Sequence, residues 1–331
     1  MKIKGQILNM PVILLTNKYS DKVLTVVSKE LPKGFDFISL QNATKEELIE
    51  KAAVADYFLA SGRISIDKEV IESAKKLKMI QRTGVGTDTI DLKTLKEKGI
   101  PVYVNSGINS VSVAEHTIML ILSVLRRLTC IDAGVKAGKW EKNDVGIGCQ
   151  SLSGKMVGII GMGNIGKAVA RILLPFGVNI VYYSRSKLSQ LEEKKMNIHY
   201  CGFTDLLKKI DILSLHCPLT SQTRGIIGRA EISSMKQGAI IINTARGPLI
   251  DEVALVDALV SGHIGGAGLD VFSVEPPNKN NPLFNLNNVI LTPHVGGLTL
   301  EIFSKMIRDA FENIRLFENG KFRLIENKIL L

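Results

Sequence analysis

The segment KMVGIIGMGNIGKAVARILLPFGVNIVYYSR, residues 155–185, restricts the fold more than any other stretch of the chain. MVGII is a short run of branched apolar residues, suited to a strand buried on both faces. Gly161, Gly163 and Gly166 follow it in the spacing G-x-G-x-x-G. In such a turn the first glycine permits the bend, the second lets a pyrophosphate approach the backbone, and the third lets helix and strand pack closely. Ile165, Val169, Ile172 and Leu173 then recur near the helical period from Asn164 to Phe176, and Pro175 and Gly177 close the helix. NIVYY supplies the next strand. The glycine spacing alone marks only a turn. Set between two strands and a helix of this length, it reads as a dinucleotide-binding unit.

The end of that second strand bears on which dinucleotide. Sites for NAD place Asp or Glu about twenty residues on, to bind the ribose 2′-hydroxyl. Here, eighteen residues past Gly166, stands Ser184, followed by Arg185, Ser186 and Lys187. A carboxylate would repel a 2′-phosphate, whereas Ser-Arg-Ser-Lys offers hydroxyl donors and two positive charges. The expectation is NADP(H) in preference, with NAD(H) open, decided by Ser184, Arg185 and Ser186. A solvated basic turn indifferent to the cofactor fits the same residues.

At 331 residues the chain can form two domains, each with its own core. No apolar run reaches membrane-spanning length without interruption, and PVILLT near the N-terminus reads as a first buried strand rather than a signal sequence. A cytoplasmic protein without membrane contact is expected. Cys130, Cys149, Cys201 and Cys217 show no C-x-x-C pair and no clustering with histidines, so neither a disulfide framework nor a metal site is expected. The net charge of +10 raises nucleic acid as a partner, but the lysines are scattered, as in SAKKLK and LEEKKM, and are not gathered with aromatics. No nucleic-acid binding is expected.

Residues 11–105 alternate strand-like runs (PVILLT, DFISL, ADYFLA, MIQRTG, PVYVN) with helical patterns (EELIEKAAV, DKEVIESAKKL, DLKTLKEKG). Such alternation implies a parallel sheet covered by helices. Within it, Arg82-Thr83-Gly84-Val85-Gly86 ends a strand with no helix of its own. Its backbone N–H groups suit an anion such as a substrate carboxylate, and equally an ordinary turn. After a turn at Asn105-Ser106-Gly107, residues 110–127 form a long apolar helix, expected to be buried between domains or between subunits. Glu115 and His116 near its start read as capping or packing residues.

A second βα series follows Arg185, again with apolar strand runs, including GAGLDVFSVEPP and NVILTPHVGG. Ligands of such sheets bind beyond the carboxyl ends of the strands. The polar residues there are Cys217-Pro218, Thr244-Ala245-Arg246, Asp270, Glu275 and His294. A guanidinium pairs with a carboxylate and polarises a carbonyl. A histidine partnered by a carboxylate passes a proton near neutral pH. Beside a nicotinamide, this is the equipment of hydride transfer coupled to proton transfer. The last helical pattern, residues 298–320, has no further βα unit after it and would return the chain to the first domain.

The segments RTGVGTDTID, NSVSVAEHT, GIIGMGNIGKAVA, HCPLT, INTARGPLID, GLDVFSVEPP and LTPHVGG occur in one order over almost the whole chain. In them the chain resembles the D-isomer-specific 2-hydroxyacid dehydrogenases. The resemblance implies an α/β fold in which a Rossmann dinucleotide-binding domain, 107–297, is inserted into a smaller flavodoxin-like substrate-binding domain, 1–106 and 298–331. It implies that Arg246 binds the substrate's carboxylate and carbonyl, that His294 is the acid/base, and that Glu275 is its partner. Val85 and Gly86 would donate to the substrate carboxylate. Asn164, Ile165, Cys217, Pro218, Thr223, Thr244, Ala245, Asp270 and Gly296 would line the cofactor site, Asp270 near the carboxamide. A homodimer joined through the long helix and the Trp140 segment is implied as well.

Two departures stand out: Ser184 where the family more often has an acid, and Ser106 where it often has proline. Arg63 and Arg82 are candidates for a distal phosphate or carboxylate of the substrate, as in phosphoglycerate dehydrogenases. For Arg63 a solvated loop charge fits as well. The expected activity is NAD(P)-dependent interconversion of a small 2-oxo and 2-hydroxy acid such as hydroxypyruvate, glyoxylate or 3-phosphoglycerate. The alternatives are a dinucleotide-sensing regulator on the same fold and an enzyme related to formate or phosphite dehydrogenases.

Overall fold

In the computed structural model, which describes residues 10–61 and 64–329, the chain divides into two units, Met1–Ile108 with Thr299–Leu331, and Asn109–Leu298. The sequence had placed the crossings at 106/107 and 297/298.

The first unit runs β1 (Val12–Lys18), α1 (Asp21–Glu30), β2 (Asp36–Leu40), α2 (Lys45–Ala52), β3 (Tyr57–Ala60), α3 (Lys68–Ser73), β4 (Met79–Arg82), α4 (Leu92–Glu97) and β5 (Val102–Tyr103). Its five strands are parallel in the order β2-β1-β3-β4-β5, the flavodoxin-like arrangement. β3 and β4 are buried at every position; β3 reads as an unbroken apolar run, whereas β4 ends in the buried polar residues Gln81 and Arg82. Thr44, Asp67 and Asp91 start α2, α3 and α4 by accepting an amide of the first turn. The sequence reading passes over α1. Val23, Thr25, Val26 and Val27 are β-branched and weak helix formers, and the helix forms because Val27 joins a core beneath it.

The second unit opens with α5 (Ser110–Leu125), α6 (Leu128–Lys136) and α7 (Lys142–Ile147). It continues through β6 (Met156–Ile160), α8 (Asn164–Leu173), β7 (Asn179–Tyr183), α9 (Gln190–Met196), β8 (His199–Tyr200), α10 (Phe203–Lys209) and β9 (Ile212–Leu215). It closes with α11 (Arg229–Ser234), β10 (Ala239–Asn243), α12 (Glu252–Val260), β11 (Ile264–Leu269) and β12 (Val289–Leu291). The strands are parallel in the order β12-β11-β10-β9-β6-β7-β8, so strand order reverses between β6 and β9. A crevice at that reversal is the ligand position of doubly wound sheets.

Two expectations need correction here. The helix expected over 110–127 ends at Leu125, because Arg127 turns into the left-handed region at φ 50°. Its buried side chains, Ala114, Ile118, Leu120, Ile121 and Leu125, share a core with Val157, Ile159, Ile240 and Ile242, so α5 covers its own unit's sheet. GAGLDVFSVEPP is a strand only as far as Leu269. The next residue, Asp270, is buried and takes the Val295 and Gly296 amides at 2.9 and 2.8 Å, which draws the chain out of the sheet.

The chain then returns to the first unit as α13 (Leu300–Glu318) and β13 (Lys328–Ile329). Thr299 caps α13 by accepting the Ile302 N–H. Met306, Ile307, Ala310, Phe311 and Ile314 form its buried face. Ile307, Phe311 and Ile314 pack with Ile13, Leu15, Tyr57 and Met79, each such side chain contributing about 1.5–3 kcal/mol by burial. β13 pairs antiparallel with β5. Among the described residues no helix is long and apolar enough to cross a membrane, and no group of three His, Cys, Asp or Glu could hold a metal ion.

Candidate active site

The glycine turn has the shape its spacing predicts. Gly161 sits at φ 98°, and a Cβ on it would lie 2.6 Å from the Cys217 nitrogen. On Gly166 a Cβ would lie 2.1 Å from the Gly161 carbonyl oxygen, so helix α8 can approach β6 only without a side chain there. Gly163 differs: nothing lies within 4 Å of where its Cβ would be. Its lack of a side chain answers to no protein neighbour and leaves open space at the start of α8, where no side chain caps the amides of Asn164 and Ile165. A helix N-terminus of this kind suits a pyrophosphate. These residues fit a dinucleotide.

Ser184, Arg185 and Ser186 follow the end of β7. Arg185 is exposed and makes no hydrogen bond or ion pair among the described residues. Lys187 is drawn 4.1 Å over the Tyr200 ring, so of the two cations counted in the sequence Arg185 is the one left uncommitted.

Several expected cofactor residues already have partners. The Thr223 hydroxyl donates to the Pro218 carbonyl at 2.7 Å, and Ala245 N–H donates to Asn243. The Thr117 hydroxyl donates to Val113 O, so the 2.9 Å contact between Thr117 and Thr244 is a bond donated by Thr244. Burial pushes the Cys217 thiol up to about 11, which keeps it protonated and unreactive at neutral pH. Beside it, burial lowers His216 to about 3, so the imidazole is neutral.

Asp270 gathers the most contacts. Its carboxylate receives Thr292 Oγ1 at 2.5 Å, Val295 N at 2.9 Å and Gly296 N at 2.8 Å, with His116 Nε2 at 3.4 Å. Burial raises its pKa, but these bonds outweigh burial and hold it below the ordinary value. His116 Nε2 also lies 2.9 Å from Thr292 Oγ1. The sequence treated His116 as a packing residue and did not single out Thr292. Their part in fixing Asp270 has no local motif and arises only because α5 crosses the ends of β11 and β12.

His294 Nδ1 lies 2.7 Å from Glu275 Oε2, with the histidine at φ 57°. Glu275 Oε1 accepts the Phe272 N–H at 3.1 Å. Burial pushes the Glu275 carboxyl up, and the His294 bond, the Phe272 amide and the Arg246 charge bring it below its usual range. With Nδ1 committed to Glu275, His294 keeps Nε2 for proton exchange. The Arg246 carbonyl accepts from Asn243 Nδ2 at 2.8 Å, and Arg246 Nη1 donates to Ala245 O at 2.7 Å. Gly247 presses the Arg246 loop onto the Glu275 loop, since a Cβ on it would fall 1.9 Å from the Phe272 carbonyl carbon. The sequence reading did not mark Gly247, whose G-P dipeptide was the available signal.

In the first unit, Arg82 is buried on β4 with Nη1 donating to Ser61 O at 3.2 Å. Val85 is exposed and Gly86 half-buried in the loop beyond it. Arg63 lies outside the described residues.

The family model "D-isomer specific 2-hydroxyacid dehydrogenase, NAD binding domain" matches residues 118–296. The chain belongs to this family of oxidoreductases, and its second unit carries the nicotinamide-dinucleotide-binding fold. It is similar to glyoxylate reductase of Thermococcus litoralis, 41% identical over 280 residues that cover 83% of this chain and 84% of that one. Hydroxypyruvate reductase of Thermotoga maritima is 41% identical over 279 residues, covering 84% and 89%. Among solved structures, D-lactate dehydrogenase from Aquifex aeolicus, in complex with NAD and lactic acid, superposes with a TM-score of 0.85. Its identity is 28%, covering 96% of this chain and 98% of that one.

Proposed function

We propose that the protein reduces a small 2-oxo acid, of the glyoxylate or hydroxypyruvate type, with NADP(H) preferred over NAD(H). The observation that carries this reading is the His294–Glu275 pair at 2.7 Å, with the Arg246 loop pressed against the same segment through Gly247. The bound nicotinamide supplies hydride chemistry at the keto carbon. Arg246 holds the substrate's carboxylate and polarises its carbonyl, which fixes the face presented for attack. His294, protonated, gives the Nε2 proton to the developing alkoxide, and Glu275 opposes the charge on the ring and holds it in place. In the oxidising direction His294 takes that proton back.

Gly161, Gly163 and Gly166, with the α8 amides, hold the pyrophosphate, and Asp270 and Gly296 stand beside the carboxamide. Arg185 with Ser184 and Ser186 receives the 2′-phosphate; the uncommitted guanidinium supports this assignment. The Met1–Ile108 and Thr299–Leu331 unit binds substrate, with Val85 and Gly86 as backbone donors. The relatives named for glyoxylate and hydroxypyruvate support a small substrate. The protein is a homodimer, a reading supported by the exposure of Trp140 (82%) and Ile147 (86%) after α6.

The test is cofactor absorbance with NADPH or NADH and a panel of glyoxylate, hydroxypyruvate, pyruvate and 3-phosphohydroxypyruvate. Faster NADPH oxidation with the smaller acids is expected. Preference for NADH would remove the Arg185 assignment, and preference for the phosphorylated acid would remove the substrate assignment.

A further inference from the structure

Because all seven strands of the second unit run parallel, the amino ends of β10, β11 and β12 lie at the opposite end of the sheet from the glycine turn. A cleft of about 360 Å³ opens there, between α5, the start of α6 and the loop before β12. Its volume is near the lower limit for ligand sites, too small for a dinucleotide and suited to a compact metabolite.

Its lining is selective in charge. Arg127 lies on it, no Asp or Glu does, and the guanidinium has no hydrogen-bond or ion-pair partner among the described residues. Gly148 leaves room for that side chain, since a Cβ on it would stand 2.6 Å from Arg127 Nη1. Arg127 also precedes α6, and no side chain caps the first-turn amides of that helix, which begins at Leu128. The N-terminal amides and dipole of a helix favour an anion.

Ser123 is an independent sign of a ligand. It lines the cleft, is only 8% exposed, and its hydroxyl has no hydrogen-bond partner among the described residues. Buried helical serines ordinarily bond a carbonyl of the preceding turn, so this hydroxyl is left for something in the cleft. The walls are tied in place: Cys130 Sγ donates to Asn287 O at 3.3 Å, and Gln150 N donates to Leu125 O at 2.9 Å.

We propose that this cleft is a second, non-catalytic binding site for a small organic anion, a carboxylate or phosphate on a short carbon chain. Arg127 and the first amides of α6 take the charge. Ser123 and Thr129 supply hydroxyls to its oxygens, and Val124, Ile240 and Ile290 cover its carbon chain.

Calorimetric titration of the whole protein tests this, with cofactor at saturation so that the glycine turn and Arg185 are occupied. The probes are inorganic phosphate and malonate, which separate a phosphate site from a carboxylate site. At least one should bind saturably to the wild type and roughly tenfold or more weakly to Arg127→Gln, while Arg185→Gln binds it as the wild type does. Turnover of Arg127→Gln without probe should stay close to wild type. Superimposable titrations for wild type and Arg127→Gln, or no saturable heat with either probe, would overturn the site. Should Arg127→Gln fail to fold, Thr129→Val is titrated instead, with weaker binding expected and unchanged binding counting against the proposal.

Discussion

Gly247 lies so close to Phe272 that a Cβ on the glycine would stand 2.0 Å from the phenylalanine carbonyl oxygen. The contact joins the loop carrying Arg246 to the one carrying Glu275, and through Glu275 to His294. Gly247→Ala should therefore do more than overpack a turn. We expect a stability loss of about 1–3 kcal/mol by thermal or urea unfolding. A fall of about 10²-fold in kcat/KM should accompany it, as the two loops separate. Full activity in a folded variant would show that the spacing of the loops does not matter to the chemistry.

Removing the acid/base or the carboxylate-binding group should separate chemistry from cofactor binding. For His294→Ala and Arg246→Ala, turnover should fall by about 10²–10⁴-fold. Cofactor affinity, read by fluorescence titration, should stay close to wild type. Near-normal turnover in either variant would refute its assigned role.

Cofactor choice should move with the turn after β7. Arg185→Gln should raise the KM for NADPH by roughly tenfold and leave NADH little changed, a loss of one charge-assisted contact. Ser184→Asp should reverse the preference by repelling the 2′-phosphate and accepting from the 2′-hydroxyl. Equal response of both cofactors would show that this turn does not touch the adenosine ribose.

Asp270 should leave a signature in the pH dependence of stability. Its carboxyl is held below the ordinary 3.8, so its contribution is complete above that pH and is lost as the pH falls through the lower folded value. Asp270→Asn should be about 1–3 kcal/mol less stable at pH 7, where its amide meets the N–H groups of Val295 and Gly296. The gap should narrow below pH 3.8. A gap constant with pH would assign the loss to packing alone.

Cys217 should be slow to alkylate. Its thiol is pushed up to about 11, so modification followed by mass spectrometry should be slow at pH 8 and quicken as the pH approaches that value. Rapid labelling at pH 7 would mean the thiol is not shielded as the structure has it.

The parts of this molecule that can be read from sequence are those with a local signal. The glycine turn is one, because its spacing is complete within six residues and Gly166 meets the Gly161 carbonyl five residues back, although Gly161 also packs on the distant Cys217. The apolar strands are another, since burial on both faces leaves an unbroken run. Asp270 could be named as a candidate but not as an anchor, because its partners come from two distant stretches, His116 on one side and Thr292, Val295 and Gly296 on the other. The end of β11 was misread for the same reason: FSV continues the strand pattern, and what stops the strand is a carboxylate bonded to a distant loop. Helix α1 was missed because its β-branched residues favour a strand locally, and the core beneath it decides otherwise.

The return of α13 to the first unit has a consequence for synthesis. The sheet face formed by Ile13, Leu15, Tyr57 and Met79 is complete once β4 has emerged, yet α13, which covers it, follows only after Thr299. The second unit, Asn109–Leu298, lies wholly within that interval. On the ribosome the cofactor-binding unit can therefore finish folding while the first unit still waits, its oily face covered only in part by α1, for the helix that closes it.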